Sequence, residues 1–433
     1  MSNLNNHNKR ESRLALFCIF LGMILLLVSC QMPSQEAQPK ANASAQVEPL
    51  PVPPTPAETQ EPDDTAIQPD SSEVDQPVES YTTEAKLVAV GDVMMHMPQM
   101  PAYYNKSTGK YNFNPYFTQV KPILEQGDFV WANLETPIAG ADLRYSGFPM
   151  FNAPPELASA LKYAGFNIVT TANNHAMDRK EVGVIRTLKR LKEQGFVTKG
   201  TAASEEEAKK LTIMTKNDIK MGILAYTYGT NGITLPRDKP YLVSHLSPLR
   251  IKEDIRALRE AGADVVVIAL HFGIEYQREP NSTQQQLARS LIQAGADIIL
   301  GSHPHVIQPL EQVKVTESDG SIRKGYIIYS MGNFISNMKD EYTDYGVIFS
   351  ADIQKTFPSG KIEIRNVDTQ LTWTQKTGKG NARKYVVLPV EKTIQEHQLN
   401  LSVSTYQALK KKQKELDQHI HSLAVPVQVQ AET

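Results

Sequence analysis

The chain has 433 residues, with 45 Lys and Arg against 47 Asp and Glu, a formal charge of −2, and 41% hydrophobic residues. That balance excludes a strongly basic nucleic-acid binder, and the apolar fraction excludes a multi-span membrane protein. Charge is segregated: residues 1–30 carry +2, residues 31–80 carry −9, and residues 81–433 are left with +5. Leader and body are therefore read separately.

Residues 14–29 form an apolar run of sixteen behind Lys9, Arg10 and Arg13. The run is short for a spanning helix of about 20 residues and fits the core of a secretory signal. It ends in Leu27-Val28-Ser29-Cys30, which resembles a bacterial lipobox. That resemblance implies a signal peptide over 1–29, lipid on Cys30, and a body tethered to the extracytoplasmic face of the cell membrane. An uncleaved N-terminal anchor is the plainer alternative. Cys18 would leave with the signal, so the mature chain has no thiol for chemistry. Residues 31–80 hold ten of the 27 prolines, no glycine and no aromatic residue. Such a stretch cannot bury enough apolar surface to offset its ordering entropy, so residues 30–80 are expected to form a disordered acidic linker. Fully extended, it reaches at most ~150 Å.

From Ala85, short apolar runs alternate with amphipathic stretches of helical period. Lys86–Val90 runs into Gly91-Asp92, Phe129–Ala132 into Asn133-Leu134-Glu135, and Ile168–Ala172 into Asn173-Asn174-His175. Val265–Leu270 runs into His271, Ile298–Leu300 into Ser302-His303-Pro304-His305, and Tyr326–Tyr329 into Gly332-Asn333. Helices are expected over Pro155–Gly165, Gly183–Gly195, Ile251–Gly262 and Thr283–Gly295, each stopped by glycine. The pattern means an α/β protein, whose ligands bind beyond the carboxyl ends of the strands. A body of 81–395 is expected, then a polar helical tail over 396–433 whose last residues, 423–433, fray.

The strand ends offer Asp92, Glu135, Asn174, His175, His271, His303 and His305, with His96 nearby. Carboxylates, imidazoles and an amide oxygen without sulfur suit Mn²⁺, Fe²⁺, Zn²⁺ or Mg²⁺. The set is large enough for two divalent ions sharing one carboxylate. Taken singly, each histidine is more often a hydrogen-bonded structural residue, and Asn173-Asn174 could be a turn. Their order along the chain is the specific signal.

The series Gly-Asp-Val-Met-Met (91–95), Asn-Leu-Glu (133–135), Asn-Asn-His-Ala-Met-Asp (173–178), His-Phe-Gly-Ile-Glu-Tyr (271–276), Ser-His-Pro-His (302–305) and Gly-Asn-Phe (332–334) resembles the CapA family. These are poly-γ-glutamate capsule synthesis proteins, a branch of the calcineurin-like metallophosphoesterase superfamily. The resemblance implies a four-layer fold, two β-sheets sandwiched between helices, and a dinuclear metal centre. It implies Asp92, Asn174, His271, His303 and His305 as metal ligands, with Glu135 nearest the place of the usual bridging aspartate. His175 would face the leaving group, with Asp178 as its partner. The usual Asp-x-His opening is absent, because position 94 is Met and the nearest imidazole is His96.

The expected function is a cell-surface lipoprotein of capsule synthesis or export with a dinuclear metal hydrolase site. Its expected partners are the membrane, an anionic polymer such as poly-γ-glutamate, and membrane capsule synthase subunits, with no nucleic acid. A non-catalytic, metal-stabilised scaffold of the synthase is the alternative. A solute-binding lipoprotein ranks last, because a binding cleft needs no such cluster of histidines. Mass spectrometry of the membrane-extracted protein is expected to find lipid on an N-terminal Cys30, and Cys30→Ala is expected to release the body or leave it unprocessed. An intact Met1 would refute the lipobox.

Overall fold

Strand Tyr81–Val93 is the spine of the described structure, pairing on both edges and burying both faces beyond its first residues. The computed structural model describes residues 79–432 except Gln398 and Asn400. The expected signal peptide, Cys30 and residues 31–78 of the linker lie outside the described residues. Among the described residues no helix is long and apolar enough to cross a membrane.

Two large mixed sheets dominate. The first runs in the order Lys384–Pro389, Ile362–Thr377, Tyr345–Phe357, Tyr81–Val93, Phe129–Leu134, Ile168–Thr170, Val197–Lys199, with Asn333–Ile335 also paired to Tyr81–Val93. Pairing is antiparallel on the Tyr345–Phe357 side of the spine and parallel on the Phe129–Leu134 side. The second sheet runs Val427–Gln430, Ile307–Thr316, Ile322–Met331, Ile298–Ser302, Val265–His271, Ile219–Thr227, Ile213–Lys216. Its central strands, from Ile322–Met331 to Ile219–Thr227, are parallel.

The period-2 alternation of side chains fixes the layers. Leu87 and Ala89 turn into a core shared with Ile223, Val265, Val267, Ile298 and Leu300 of the other sheet. Val88 and Val90 turn the opposite way, onto Leu157 and Leu161 of helix Glu156–Ala164. On the second sheet Leu224, Val266, Ile268 and Ile299 face away from the first. They meet Ile251, Ile255, Leu291 and Ile292 of helices Pro248–Glu260 and Ser282–Gln293. The result is helix, sheet, sheet, helix, the expected four-layer sandwich. Burial on both faces is why these strands read as continuous apolar runs.

The four expected helices form as Glu156–Ala164, Lys180–Glu193, Pro248–Glu260 and Ser282–Gln293. The sequence pattern does not mark Ile307–Thr316 as a strand, and marks Ile362–Thr377 only as part of a β-rich stretch over 345–390, for a physical reason. Ile307–Thr316 and Ile362–Thr377 alternate buried with more exposed residues for much of their length and are rich in Gln, Thr and Lys. They lack the dense apolar runs that mark the central strands.

The chain's end differs from expectation. Val427–Gln430, expected to fray, pairs in parallel with Val313–Thr316, and its Val-Gln-Val-Gln alternation is a strand pattern. Helix Val403–Ile420 lies in the range read as a polar tail, yet Leu409, Leu416 and Ile420 enter the core between the sheets. Polar on average, the helix concentrates its apolar residues on one face. Leu416→Ala is expected to lower the unfolding free energy of the chain by about 2–5 kcal/mol, the range for a buried leucine. A urea titration that finds less than about 0.5 kcal/mol would show the helix to be an appendage.

Candidate metal centre

Close approach of backbones brings the strand ends together. A side chain on Gly91 would place its Cβ 1.9 Å from the Gly332 carbonyl oxygen, and one on Gly301 would sit 1.9 Å from that of Tyr329. Only glycine fits either position. The Asp92 N–H can therefore donate to Gly332 O at 3.0 Å. In register, Asp92 lies between Asn333 on one neighbouring strand and Asn133 on the other.

The two sheets contribute different donors to one cluster. Asp92 and Glu135 come from the first sheet and His271 from the second. Asn174 follows strand Ile168–Thr170, and His303 and His305 follow strand Ile298–Ser302. His271 Nε2 lies 3.0 Å from Asn174 Oδ1 and 3.5 Å from Glu135 Oε1. His305 Nδ1 lies 3.3 Å from Asp92 Oδ2, and its Nε2 lies 3.8 Å from Glu135 Oε1. Glu135 thus stands between the imidazoles of His271 and His305. Asp92, Glu135, Asn174, His271, His303 and His305 are all buried.

Electrostatics separates this cluster from an ordinary ion-pair network. Burial first, and then the charge of Asp92, hold the Glu135 carboxyl well above the usual carboxylate range. Burial drives His271 well below the ordinary histidine value and lowers His303 to about 3. These imidazoles are neutral, so they cannot act as counter-charges to the carboxylates. Among the described residues, both oxygens of Glu135 and Nδ1 of His303 are buried without a hydrogen-bond partner. Unpaired buried carboxylate oxygens are costly, and the nearest imidazole nitrogens, 3.5 and 3.8 Å from Glu135 Oε1, make no hydrogen bond to it.

The turn that presents the histidine pair is strained. His303 has φ of 101° and His305 φ of 60°, in the left-handed region that β-carbon sterics disfavour. Strain of this kind costs of order 1–3 kcal/mol per residue and persists where the surroundings over-determine it.

His175 and Asp178 form a second unit beside the cluster. His175 Nδ1 lies 2.8 Å from Asp178 Oδ2, and that same oxygen accepts from the Phe151 N–H at 2.6 Å. The Phe151 ring meets His175 edge-on at 4.6 Å. The His175 N–H donates to Asn173 Oδ1, and Asn173 Nδ2 donates to Leu134 O, tying this loop to the strand end before Glu135. His96 does not fill the gap left by Met94. Its ring lies against Phe151 and Gln99, outside the ligand-competent groupings among the described residues. Burial lowers it to about 4.

Several residues of the centre carry no role in the sequence reading. Asn133 donates to Asp92 Oδ1 at 2.8 Å, Asn333 Oδ1 lies 3.0 Å from His305 Nδ1, and Ser302 Oγ lies 3.0 Å from His271 Nδ1. Each lies inside a quoted motif, and its signal is adjacency to a ligand in strand register. Tyr228 packs on His303 with centroids 4.6 Å apart, and it carries no motif signal. Glu275 lies within ligand range of His303 and His305.

Three ligand groupings emerge: Glu135 with His271 and His303, Asp92 with Glu135 and His305, and Glu275 with His303 and His305. Neutral imidazoles, buried carboxylates and unpartnered donor atoms fit divalent cations of the hard-to-borderline class. The shared Glu135 suits a centre built for more than one ion.

A family described as "Bacterial capsule synthesis protein PGA_cap" matches residues 86–338. The capsule biosynthesis protein CapA of Bacillus anthracis is 30% identical over 256 residues, covering 58% of this chain and 59% of that protein. The chain therefore matches about six tenths of that relative's length. The PGA biosynthesis protein CapA of Bacillus subtilis (strain 168) is 30% identical over 287 residues, covering 64% of this chain and 70% of the relative. Among solved structures, the NAD nucleotidase NadN of Haemophilus influenzae aligns with a TM-score of 0.42 at 11% identity, over 82% of this chain and 65% of that one. The calcineurin-like phosphoesterase YfkN of Bacillus subtilis aligns with a TM-score of 0.39 at 14% identity, over 76% of this chain and 100% of that one.

His303→Ala and His305→Ala are each expected to lower bound divalent metal without unfolding the chain, because each removes a donor from a turn rather than from the apolar core. Elemental analysis of the purified variants reads the outcome. Unchanged stoichiometry in both would refute the centre.

Proposed function

The chain belongs to the bacterial capsule synthesis protein family, and on that premise we propose that it is a lipid-anchored surface hydrolase acting in poly-γ-glutamate capsule synthesis or export. The observation that carries the catalytic part is the buried Glu135 carboxylate, which among the described residues accepts no hydrogen bond and stands between the imidazoles of His271 and His305. In this reading Asp92, Glu135, Asn174, His271, His303 and His305 hold two divalent ions. Bound there, such ions supply a water acidified toward neutral pH and Lewis-acid stabilisation of developing negative charge.

The chain's own residues supply the proton chemistry. Asp178 Oδ2 holds the proton of His175 at Nδ1, leaving Nε2 to give a proton to the departing oxygen. The Phe151 N–H fixes that carboxylate oxygen, and the Phe151 ring edge fixes the imidazole plane. Asn173 anchors the backbone of His175, so the ring's position relative to Glu135 is set by the strand end. Cys30 with the acidic linker would hold the body outside the cytoplasm beside membrane synthase subunits. The +5 of residues 81–433 would favour a polyanionic polymer over other substrates.

One observation favours a second reading, a metal-stabilised scaffold. His175 and His303 are each 4% exposed and the other proposed site residues less, which suits a structural ion as well as a catalytic one. His175→Ala separates the two. A hydrolase is expected to keep its metals while kcat falls ~10²–10⁴-fold, the usual contribution of a positioned general acid. Hydrolysis is assayed on phosphoesters and on γ-glutamyl polymer, and capsule output in cells is expected to fall in parallel. Normal capsule with no loss of hydrolysis would favour the scaffold.

A further inference from the structure

Glu275 is an acidic side chain beside the histidine turn. It is exposed, on the loop that follows strand Val265–His271, and its carboxylate lies within 4.8 Å of ligand nitrogens of both His303 and His305. Neighbouring charges on the loop are engaged elsewhere: Arg278 pairs with Glu415 at 3.0 Å, and Glu279 lies 3.5 Å from His419. Among the described residues Glu275 forms no ion pair.

An exposed acid on a loose loop would carry no argument, but this loop is braced from three sides. The Tyr276 N–H donates to Pro304 O at 2.8 Å, tying Glu275's neighbour directly to the turn between His303 and His305. Gln308, fully buried, donates from Nε2 to Gln277 O at 2.8 Å. His419, from helix Val403–Ile420, donates from Nε2 to Arg278 O and Ile307 O at 3.0 and 3.2 Å. The loop and the histidine turn are thus held to each other and to the same helix.

We propose that Glu275 is a further ligand of the metal centre, completing with His303 and His305 a donor set on its solvent side. This rests on the metal-centre reading above. A carboxylate and two imidazoles form a donor set for a borderline divalent cation. Because Glu275 is exposed, its carboxylate avoids most of the desolvation cost that Glu135 bears.

The test is calorimetric titration of Mn²⁺ into the full-length, chelator-stripped protein, compared with Glu275→Gln and with Glu279→Gln as a charge-matched control on the same loop. Glu275→Gln is expected to weaken Mn²⁺ binding ~10–100-fold, the scale for losing a supporting group at a metal site. Glu279→Gln is expected to leave binding within about threefold of wild type, since loss of one exposed charge is largely screened. Wild-type affinity in Glu275→Gln, or equal weakening in both variants, would overturn the assignment while leaving the centre standing. A wild-type protein that binds no Mn²⁺ would overturn the centre and the assignment together.

Discussion

Glu135 sets the terms for the rest of the molecule, because both of its carboxylate oxygens are shut away from solvent and, among the described residues, accept no hydrogen bond. Its carboxyl is driven up by burial and by Asp92, while burial drives the adjacent imidazole of His271 down. Acid and base are therefore both pushed toward neutrality, and the attraction that would stabilise an ordinary buried ion pair is absent. What the fold holds together here is a set of lone pairs converging on common points. Such a set could hold a divalent cation, whose binding would offset the cost of assembling it.

The cost is met by the architecture around it. The first sheet delivers Asp92, Glu135 and Asn174, the second delivers His271, His303 and His305, and the apolar layer between the sheets fixes their separation. Leu87, Ala89, Val265, Val267, Ile298 and Leu300 all belong to that layer and all precede site residues on the same strands. Core packing and site geometry are consequently one problem, since a shift between the sheets moves half the donors relative to the other half. The bare glycines at 91 and 301 let the backbones close in at the strand ends. The strained His303 and His305 then turn the chain back into the gap.

The C-terminal helix extends this logic beyond residues 86–338, the matched span. Through Leu409, Leu416 and Ile420 it fills the core between the sheets, and through His419 and Glu415 it grips the loop after His271. Arg278 and Lys412 both lie over the ring of Tyr342, at 4.1 and 3.9 Å from its centroid. Cation–π contacts of this kind add about 0.5–2 kcal/mol each. The helix is thus joined both to the hydrophobic core and to the rim of the site.

The sequence by itself determined the layer pattern and which candidate donors stand at the strand ends. Buried parallel strands must be apolar on both faces, so Val265–Leu270 and Ile298–Leu300 announce themselves, and the polar residues that end them stand out against that background. Motif order then places Asp92, Glu135, Asn174, His175, His271, His303 and His305 at neighbouring strand ends. Only the tertiary structure decided which atoms meet. Asn133 and Asn333 flank Asp92 through strand pairings between segments far apart in the chain, and register of that kind has no local signature. His96, nearest in sequence to the missing imidazole, is drawn instead to Phe151 and Gln99. Glu275 reaches the histidine turn because a backbone hydrogen bond from Tyr276 to Pro304 closes the loop. The polar average of the last residues hid the buried face of the helix and the edge strand after it, because burial depends on which side of an element meets the core and composition does not record sides.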